Sequence, residues 1–152
     1  MDKIDKQILR ELQLDSDKKV YQIAKKLQIP KSTVHNRIKR LEKDKIVQGY
    51  KAIVNPKKLG KGICALVHIV ITSQQSAHDI ANKLKNMSCV ESIYIVTGQF
   101  DLIAKIRLKD TDSLNKFIFD GTTGLRSLPG IERTESMIVL DTPKDNGVIE
   151  AE

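Results

Sequence analysis

The chain has 152 residues and few of the residue types that build large aromatic or disulfide-linked cores. It contains no tryptophan, three tyrosines, three phenylalanines and two cysteines, Cys64 and Cys89. Because the charged first residues show no export signal, we predict a cytoplasmic protein whose thiols are free. The longest apolar run, residues 63–72, is interrupted by His68 and is too short to cross a bilayer.

Signatures of catalysis and of metal binding are also missing. The sequence contains no G-x-S-x-G, P-loop, H-E-x-x-H or C-x-x-C pattern. Its three histidines, His35, His68 and His78, have no metal-ligand spacing to one another or to a cysteine. We therefore predict a binding protein without catalytic residues, bound metal or cofactor.

Positive charge is concentrated at one end of the chain. The formal net charge is +7, but residues 1–60 carry +9 and residues 61–152 carry −2. A basic first part joined to a nearly neutral remainder predicts two functions. One of them is the binding of a polyanion such as double-stranded DNA.

Residues 23–41 carry the pattern around which the basic part is organised. They read as two helices joined by a tight turn, and Val34, Ile38 and Leu41 form one apolar stripe on the second of them. Pro30 cannot continue the first of these helices but suits the start of the second. With the helix that opens the chain, this predicts three helices, of which the third is exposed and basic.

The face of this third helix opposite the stripe carries short polar side chains first and cations later. That order is typical of a helix that reads base edges with its first turn and contacts phosphates further along. The candidates for base edges are Ser32, Thr33, His35 and Asn36. The candidates for phosphates are Lys31, Lys39, Arg40 and Lys43, while Arg37 lies nearer the stripe and could face either way. The alternative is a basic face that is only solvated.

The second half of the chain has a different periodicity. Strand-like and helical segments follow one another as β-α-β-β-α-β, with a hairpin between the second and third strands. This order predicts an α+β, ferredoxin-like module. The predicted boundaries are 1–50 for a DNA-binding domain, 51–62 for a linking strand and linker, 63–141 for the ferredoxin-like domain and 142–152 for a flexible tail.

The first strand of this module is apolar on both faces. Ala65, Val67 and Ile69 alternate with Leu66 and Val70. Two helices cover only one face of such a sheet, so either this strand lies in the core or its other face meets a partner. We predict that a second copy of the chain covers it.

The hairpin turn is the candidate effector site. Gly98 can adopt a positive φ and leave backbone N–H groups facing a carboxylate. Asp101 could receive an ammonium group, and Gln99 and Phe100 lie between the two. A free amino acid carries both of these groups. The alternative is an ordinary turn that binds nothing.

Five segments in a fixed order carry a family resemblance. They are D-x-x-D-x-x-I-L-x-x-L at the start, IAKKLQIPKSTVHNRIKRLEKDKIVQGY, NPKKLG, VTGQFDLIAKI and LPGIERTESMIVL. Over residues 1–141 the chain resembles the Lrp/AsnC, or feast/famine, transcription regulators. The resemblance implies a winged-helix-like helix-turn-helix domain, a linking strand and a C-terminal ferredoxin-like module that binds effectors.

The resemblance also implies dimers that form through the sheets, assemble into tetramers or octamers, and bind an amino acid between dimers. A ligand at the turn would then meet the last strand of a neighbouring dimer, where Thr134, Glu135 and Ser136 lie. The single anion Glu135 favours a basic amino acid, and Gln99 favours glutamine next. The implied function is sequence-specific transcription regulation.

The chain departs from the family pattern at two positions. Pro30 replaces the usual serine, which removes a side-chain cap, and Asn36 stands where a second arginine is common. Because asparagine pairs with adenine and arginine with guanine, the operator of a relative does not transfer to this chain. Two alternatives stay open: an enzyme that resembles the sirohaem decarboxylases, and a DNA-organising protein with little sequence preference.

Overall fold

Three helices build the N-terminal part of the molecule. The computed structural model describes residues 1–152 and has α1 at Lys3–Leu14, α2 at Val20–Leu27 and α3 at Lys31–Lys43. Their apolar stripes form a core of seven buried side chains: Ile8, Leu12, Ile23, Ala24, Val34, Ile38 and Leu41. None of the helices in the structure is long and apolar enough to cross a membrane.

Local hydrogen bonds set the ends of these helices. Asp2 accepts from the Asp5 N–H at 2.9 Å and Asp5 accepts from the Asp2 N–H at 3.0 Å, so the two residues form a capping box. Gln28 ends α2 in the left-handed conformation, with φ +56°. Pro30 precedes α3 and provides no side-chain cap, as predicted from its sequence position.

The C-terminal part is an α+β domain. Its elements are β1 (Ile63–Ile71), α4 (Ala77–Leu84), β2 (Val90–Ile95), β3 (Leu102–Leu108), α5 (Thr111–Phe119) and β4 (Ile131–Ile138). Short 3-10 helices occupy Lys57–Leu59 and Leu125–Ser127. The strands form one antiparallel sheet in the order β2-β3-β1-β4, which confirms the predicted ferredoxin-like fold.

The two faces of β1 have different environments. Ala65, Val67 and Ile69 have no exposed surface and pack in the core that the sheet shares with α4 and α5. Leu66 and Val70 point to the opposite face and are partly exposed. The two helices therefore cover one face only. The other, open face of the sheet carries Leu66, His68 and Val70 of β1.

Two predicted segments differ from the structure. No linking strand forms within residues 51–62, because alternation in sequence produces a strand only when a neighbouring backbone pairs with it. The tail is not loose: the Gln13 amide donates to the Ile149 carbonyl at 3.0 Å and accepts from the Ile149 N–H at 2.8 Å. Arg10 also pairs with Glu150. The Gln13 amide, which both donates and accepts, pairs with the backbone of the tail at Ile149. Because these residues are far apart in sequence, no local pattern predicts that they meet.

The chain divides into two units. The first contains Met1–Ile53 together with Pro143–Glu152, and the second contains Val54–Thr142. The tail thus follows the second unit in sequence but belongs to the first in structure.

Candidate DNA-binding and effector sites

The outer face of α3 presents most of the predicted DNA-binding side chains to solvent. Val34, Ile38 and Leu41 are buried against α1 and α2, which orients the rest of the helix outward. The exposed residues are Lys31, Ser32, His35, Asn36, Lys39, Arg40 and Lys43. Thr33 and Arg37 are half-buried. All of the exposed residues except Arg40 have side chains without a partner in the chain, so six of the nine predicted residues share an accessible face.

Arg37 and Arg40 are bound to acidic residues of α1 and its cap. Arg37 Nη1 lies 2.8 Å from Asp5 Oδ1 and 2.5 Å from Asp2 Oδ2. Arg40 Nη2 lies 2.6 Å from Asp5 Oδ2. The sequence predicts Arg40 as a phosphate contact, but the structure gives it an internal acidic partner. Arg37, whose direction the sequence left open, turns toward α1.

Asp5 is one of two charged residues buried in the structure, and none of its surface is exposed. Burial raises the pKa of its carboxyl, but the hydrogen bonds from Arg37 and from the Asp2 N–H, with the charge of Arg40, outweigh burial and lower the pKa overall. Asp5 is therefore ionised in the folded protein at neutral pH.

Glu11 is the second buried acid, and it is satisfied by cations outside α3. Lys18 Nζ lies 2.7 Å from Glu11 Oε2 and Lys26 Nζ lies 2.6 Å from Glu11 Oε1. These hydrogen bonds, that of Lys18 first, lower the pKa of Glu11. The α1 helix therefore carries two buried carboxylates, and only Asp5 bonds to the candidate recognition helix.

The hairpin turn between β2 and β3 is closed by backbone hydrogen bonds. The Val96 N–H donates to the Asp101 carbonyl at 3.0 Å, and Gly98 has φ +115° with open space where a Cβ would stand. Asp101 Oδ2 accepts from the Ile71 N–H at 2.9 Å. The Asp101 carboxylate thus fastens the turn to the end of β1, and its second oxygen is left for another donor.

Phe100 forms a cluster on the open face of the sheet. Its ring centroid lies 4.6 Å from that of His68, and the Arg133 guanidinium lies 5.6 Å from the Phe100 ring. The His68 Nδ1 atom is buried without a hydrogen-bond partner in the chain. The sequence places His68 outside the turn, yet its ring contacts a turn residue. His68 pairs with Ile103 of β3, which follows the turn closely in sequence. The register between β1 and β3 would have placed His68 beside the turn, but that register was not predicted from the sequence.

The three β4 candidates do not share one face. Glu135 pairs with His68 on the open face, whereas Thr134 and Ser136 pair with Ile69 and Val67 on the helix-covered face. The structure therefore brings Glu135 near the Phe100 cluster within one chain. A cavity of about 340 Å³ in this unit lies elsewhere, between α4 and β2, and no predicted effector residue lines it.

Comparison with protein-family models matches both units. The AsnC-type helix-turn-helix domain covers residues 1–42, and the Lrp/AsnC ligand binding domain covers residues 64–149. The second match alone spans more than half of the chain. The chain belongs to the Lrp/AsnC family. The resemblance inferred from the five sequence segments is thereby confirmed.

Similar Lrp/AsnC proteins include archaeal and bacterial regulators. The HTH-type transcriptional regulator FL11 of Pyrococcus abyssi is 35% identical over 145 residues, covering 95% of this chain and 93% of FL11. The HTH-type transcriptional regulator Ptr1 of Methanocaldococcus jannaschii is also 35% identical over 145 residues, with 95% of each chain covered. This Lrp/AsnC chain is therefore a transcriptional regulator with a ligand-binding domain, and the predicted non-enzymatic class agrees with the names of these relatives.

Two solved structures of similar proteins contain an amino acid. The feast or famine regulatory protein of M. tuberculosis, complexed with L-methionine, is 29% identical, with a TM-score of 0.87 and 99% of both chains covered. A transcriptional regulator of Neisseria meningitidis in an L-Met complex is 25% identical, with a TM-score of 0.89 and 95% and 93% of the two chains covered. Amino-acid binding is thus observed on this fold in similar proteins.

Proposed function

We propose that this Lrp/AsnC regulator binds specific DNA sites through α3 and that an amino acid bound at the Gly98 turn changes this binding. The observation that carries the first part is the outer face of α3, where polar side chains precede cations and none is used in the core. The amino-acid complexes of two similar proteins support the second part.

The exposed side chains of α3 divide into two groups. Ser32, His35 and Asn36 stand in the first two turns and carry hydrogen-bonding groups suited to base edges. Lys31, Lys39 and Lys43 are exposed point charges suited to phosphates. Arg37 and Arg40 lie on the shoulder that faces α1 and are bound to Asp5, so the proposed DNA contacts do not include them. Thr33, one turn before Arg37, is half-buried.

The proposed effector site uses backbone donors and one carboxylate oxygen. Backbone N–H groups around Gly98 suit the carboxylate of an amino acid, and the second oxygen of Asp101 suits its ammonium group. Gln99 is exposed beside them. A neighbouring dimer completes the site in this proposal, with Thr134, Glu135 and Ser136 selecting the ligand side chain.

A second copy of the chain covers the open face of the sheet in this proposal. The supporting observation is that Leu66 and Val70 are partly exposed there, beside Met137 of β4, with 42% of its surface exposed. Val70→Asp should dissociate the assembly in light scattering, because it places an unpaired charge in a dry interface. Val70→Thr keeps the shape without the charge and is the control. A wild-type monomer at micromolar concentration contradicts the proposal.

The experiment that tests the proposed function is the selection of genomic fragments bound by the full chain, with and without each common amino acid. A specific regulator recovers a defined set of fragments and binds them at least about a thousandfold more tightly than random duplexes. A ratio near one identifies the DNA-organising alternative. Calorimetry of the same amino acids follows, and an effector is supported if one binds more tightly than about millimolar.

A further inference from the structure

The contact between Asp5 and α3 joins the first helix directly to the candidate recognition helix. Asp5 has no exposed surface and receives hydrogen bonds from arginines that are one helical turn apart. The same carboxylate accepts the Asp2 N–H, which fixes its own orientation through the capping box. A buried carboxylate in this position holds the rotation of α3 relative to α1 through its two bonded arginines.

The same contact divides the cations of α3 into two classes. Three of its five cations, Lys31, Lys39 and Lys43, form no ion pair and are exposed to solvent. Arg37 and Arg40 are paired, with 22% and 54% of their side chains exposed. Because Arg40 is half-exposed, it is within reach of solvent and of DNA as soon as its acidic partner is removed.

We propose that Asp5 is a positioning residue that sets the selectivity of DNA binding, because it holds α3 in place and withholds Arg37 and Arg40 from phosphates. This inference rests on the proposed function of α3. Phosphate contacts add affinity for every sequence equally, whereas base contacts need a fixed helix orientation. By binding both arginines, the Asp5 carboxylate therefore lowers the affinity for non-specific DNA. It also keeps α3 in the orientation that contacts to bases require.

The chain contains a matched control for this proposal. Glu11 is also a buried carboxylate of α1 held by two cations, but its partners Lys18 and Lys26 lie outside α3. Asp5→Asn and Glu11→Gln each remove one buried negative charge, keep the side-chain shape and raise the net charge by the same amount. Only Asp5→Asn releases a cation of α3: Arg40 loses its acidic partner, whereas Arg37 keeps its bond to Asp2.

The experiment measures the affinity of each full-length variant for a selected duplex and for a random-sequence duplex across a salt series. For Asp5→Asn we expect the slope of log affinity against log salt to steepen by about one, since the released Arg40 neutralises one more phosphate. Random-duplex binding should tighten roughly tenfold near 0.1 M salt, and the ratio of specific to random affinity should fall. Glu11→Gln should retain the wild-type slope and ratio.

Two results overturn the proposal: an Asp5→Asn protein with the wild-type slope and ratio, or equal changes in Asp5→Asn and Glu11→Gln.

If Asp5→Asn does not fold, single substitutions in the wild-type background decide. Lys39→Gln should flatten the slope by about one, whereas Arg40→Gln should leave it unchanged, because Arg40 is already withheld. An equal flattening by both overturns the proposal. If the wild-type protein shows no salt-dependent DNA binding, the proposed function itself fails.

Discussion

The two units of this molecule bury different chemistry. The N-terminal unit has seven buried apolar side chains and both of the buried charged residues, Asp5 and Glu11. The core of the C-terminal unit has thirteen buried apolar side chains, Cys64 is buried outside that core, and no charged residue of the unit is buried. A small helical core provides little apolar area, and directional ion pairs fix the relative orientation of its helices. The core of the sheet and its two helices is apolar, and ion pairs of this unit such as Glu91 with Arg107 lie outside that core, so its folding depends less on ionised groups.

The largest expected difference between the units is their response to acid. The pKa values of Asp5 and Glu11 lie below their ordinary values of 3.8 and 4.5 in the folded chain, because Arg37 and Lys18 with their neighbours stabilise the carboxylates. As the pH falls through 4.5, the unfolded chain binds protons first. The stabilisation is complete above that pH and disappears as the pH approaches the folded values. The first unit should therefore unfold at a higher pH than the second.

Amide NMR signals of α1 and β3, followed in moderate urea as the pH is lowered, test this difference. Three acids of the second unit also have lowered pKa values: Asp120 through hydrogen bonds from Thr122 and Thr123, Asp110 through those from Ser113, and Glu91, against partial burial, through that from Arg107. None of the three is buried, so solvent screens these contacts more than those of Asp5 and Glu11. The double variant Asp5→Asn, Glu11→Gln should show a flatter pH dependence in α1. Loss of the β3 signals before those of α1 contradicts the expectation.

A core substitution tests the apolar side of the comparison. Leu102 begins β3 and has no exposed surface, so Leu102→Ala should destabilise the second unit by about 2–5 kcal/mol through lost burial and a cavity. Leu140→Ala is the control, because Leu140 is 97% exposed and its truncation should change the stability by less than about 0.5 kcal/mol. Urea unfolding followed by NMR separates the units. Equal shifts in α1 and β3 signals would show that the units do not unfold independently.

A third prediction concerns DNA recognition, which the proposed function places on α3 of the first unit. Asn36 is exposed on the outer face of α3, one turn after Ser32. If its amide pairs with an adenine, Asn36→Ala should cost roughly 1–3 kcal/mol on the selected site and relax the preference at one base pair of each half-site. Competition binding with single-base variants of the site measures this. The control is Asn82→Ala on α4, which should leave DNA binding unchanged. A uniform loss on all duplexes would make Asn36 a phosphate contact.

The periodicity of the sequence was sufficient to predict most of the fold. Three helices, the β-α-β-β-α-β order and the two-faced β1 all follow from local patterns that the structure confirms. The contact between Asp5 and the arginines of α3 did not follow. Its partners are 32 and 35 positions apart, and each alone reads as a solvent-exposed charge. Predicting such a contact requires the crossing of two helices, which no local pattern encodes.

The candidate sites show the same limit. The exposed face of α3 was predictable because a helix places one stripe in the core and the opposite stripe in solvent. The contact of His68 with Phe100 was not, because it depends on the register between β1 and β3. The predicted linking strand is absent because alternation in sequence forms a strand only where another backbone pairs with it. Sequence patterns therefore predicted elements and their faces, and failed where two distant segments meet.

The smallest expected effect is that of a substitution at Gly98 in the second unit, which should change amino-acid binding without changing DNA binding by the first unit. Gly98 has φ +115°, which a β-branched residue adopts only with strain, although the space beside its Cα is open. Gly98→Val should therefore alter the turn without a clash in the core. We expect amino-acid binding to weaken at least about tenfold, or 1.4 kcal/mol, while the basal DNA affinity of the first unit stays unchanged.

Gly121→Val is the control, because that loop glycine has open space and no positive φ. Calorimetry with each common amino acid and DNA titration of the same samples measure both quantities. Equal amino-acid binding by wild type and Gly98→Val would make the turn purely structural, and a parallel loss of basal DNA affinity would show that the turn also supports the DNA-binding unit.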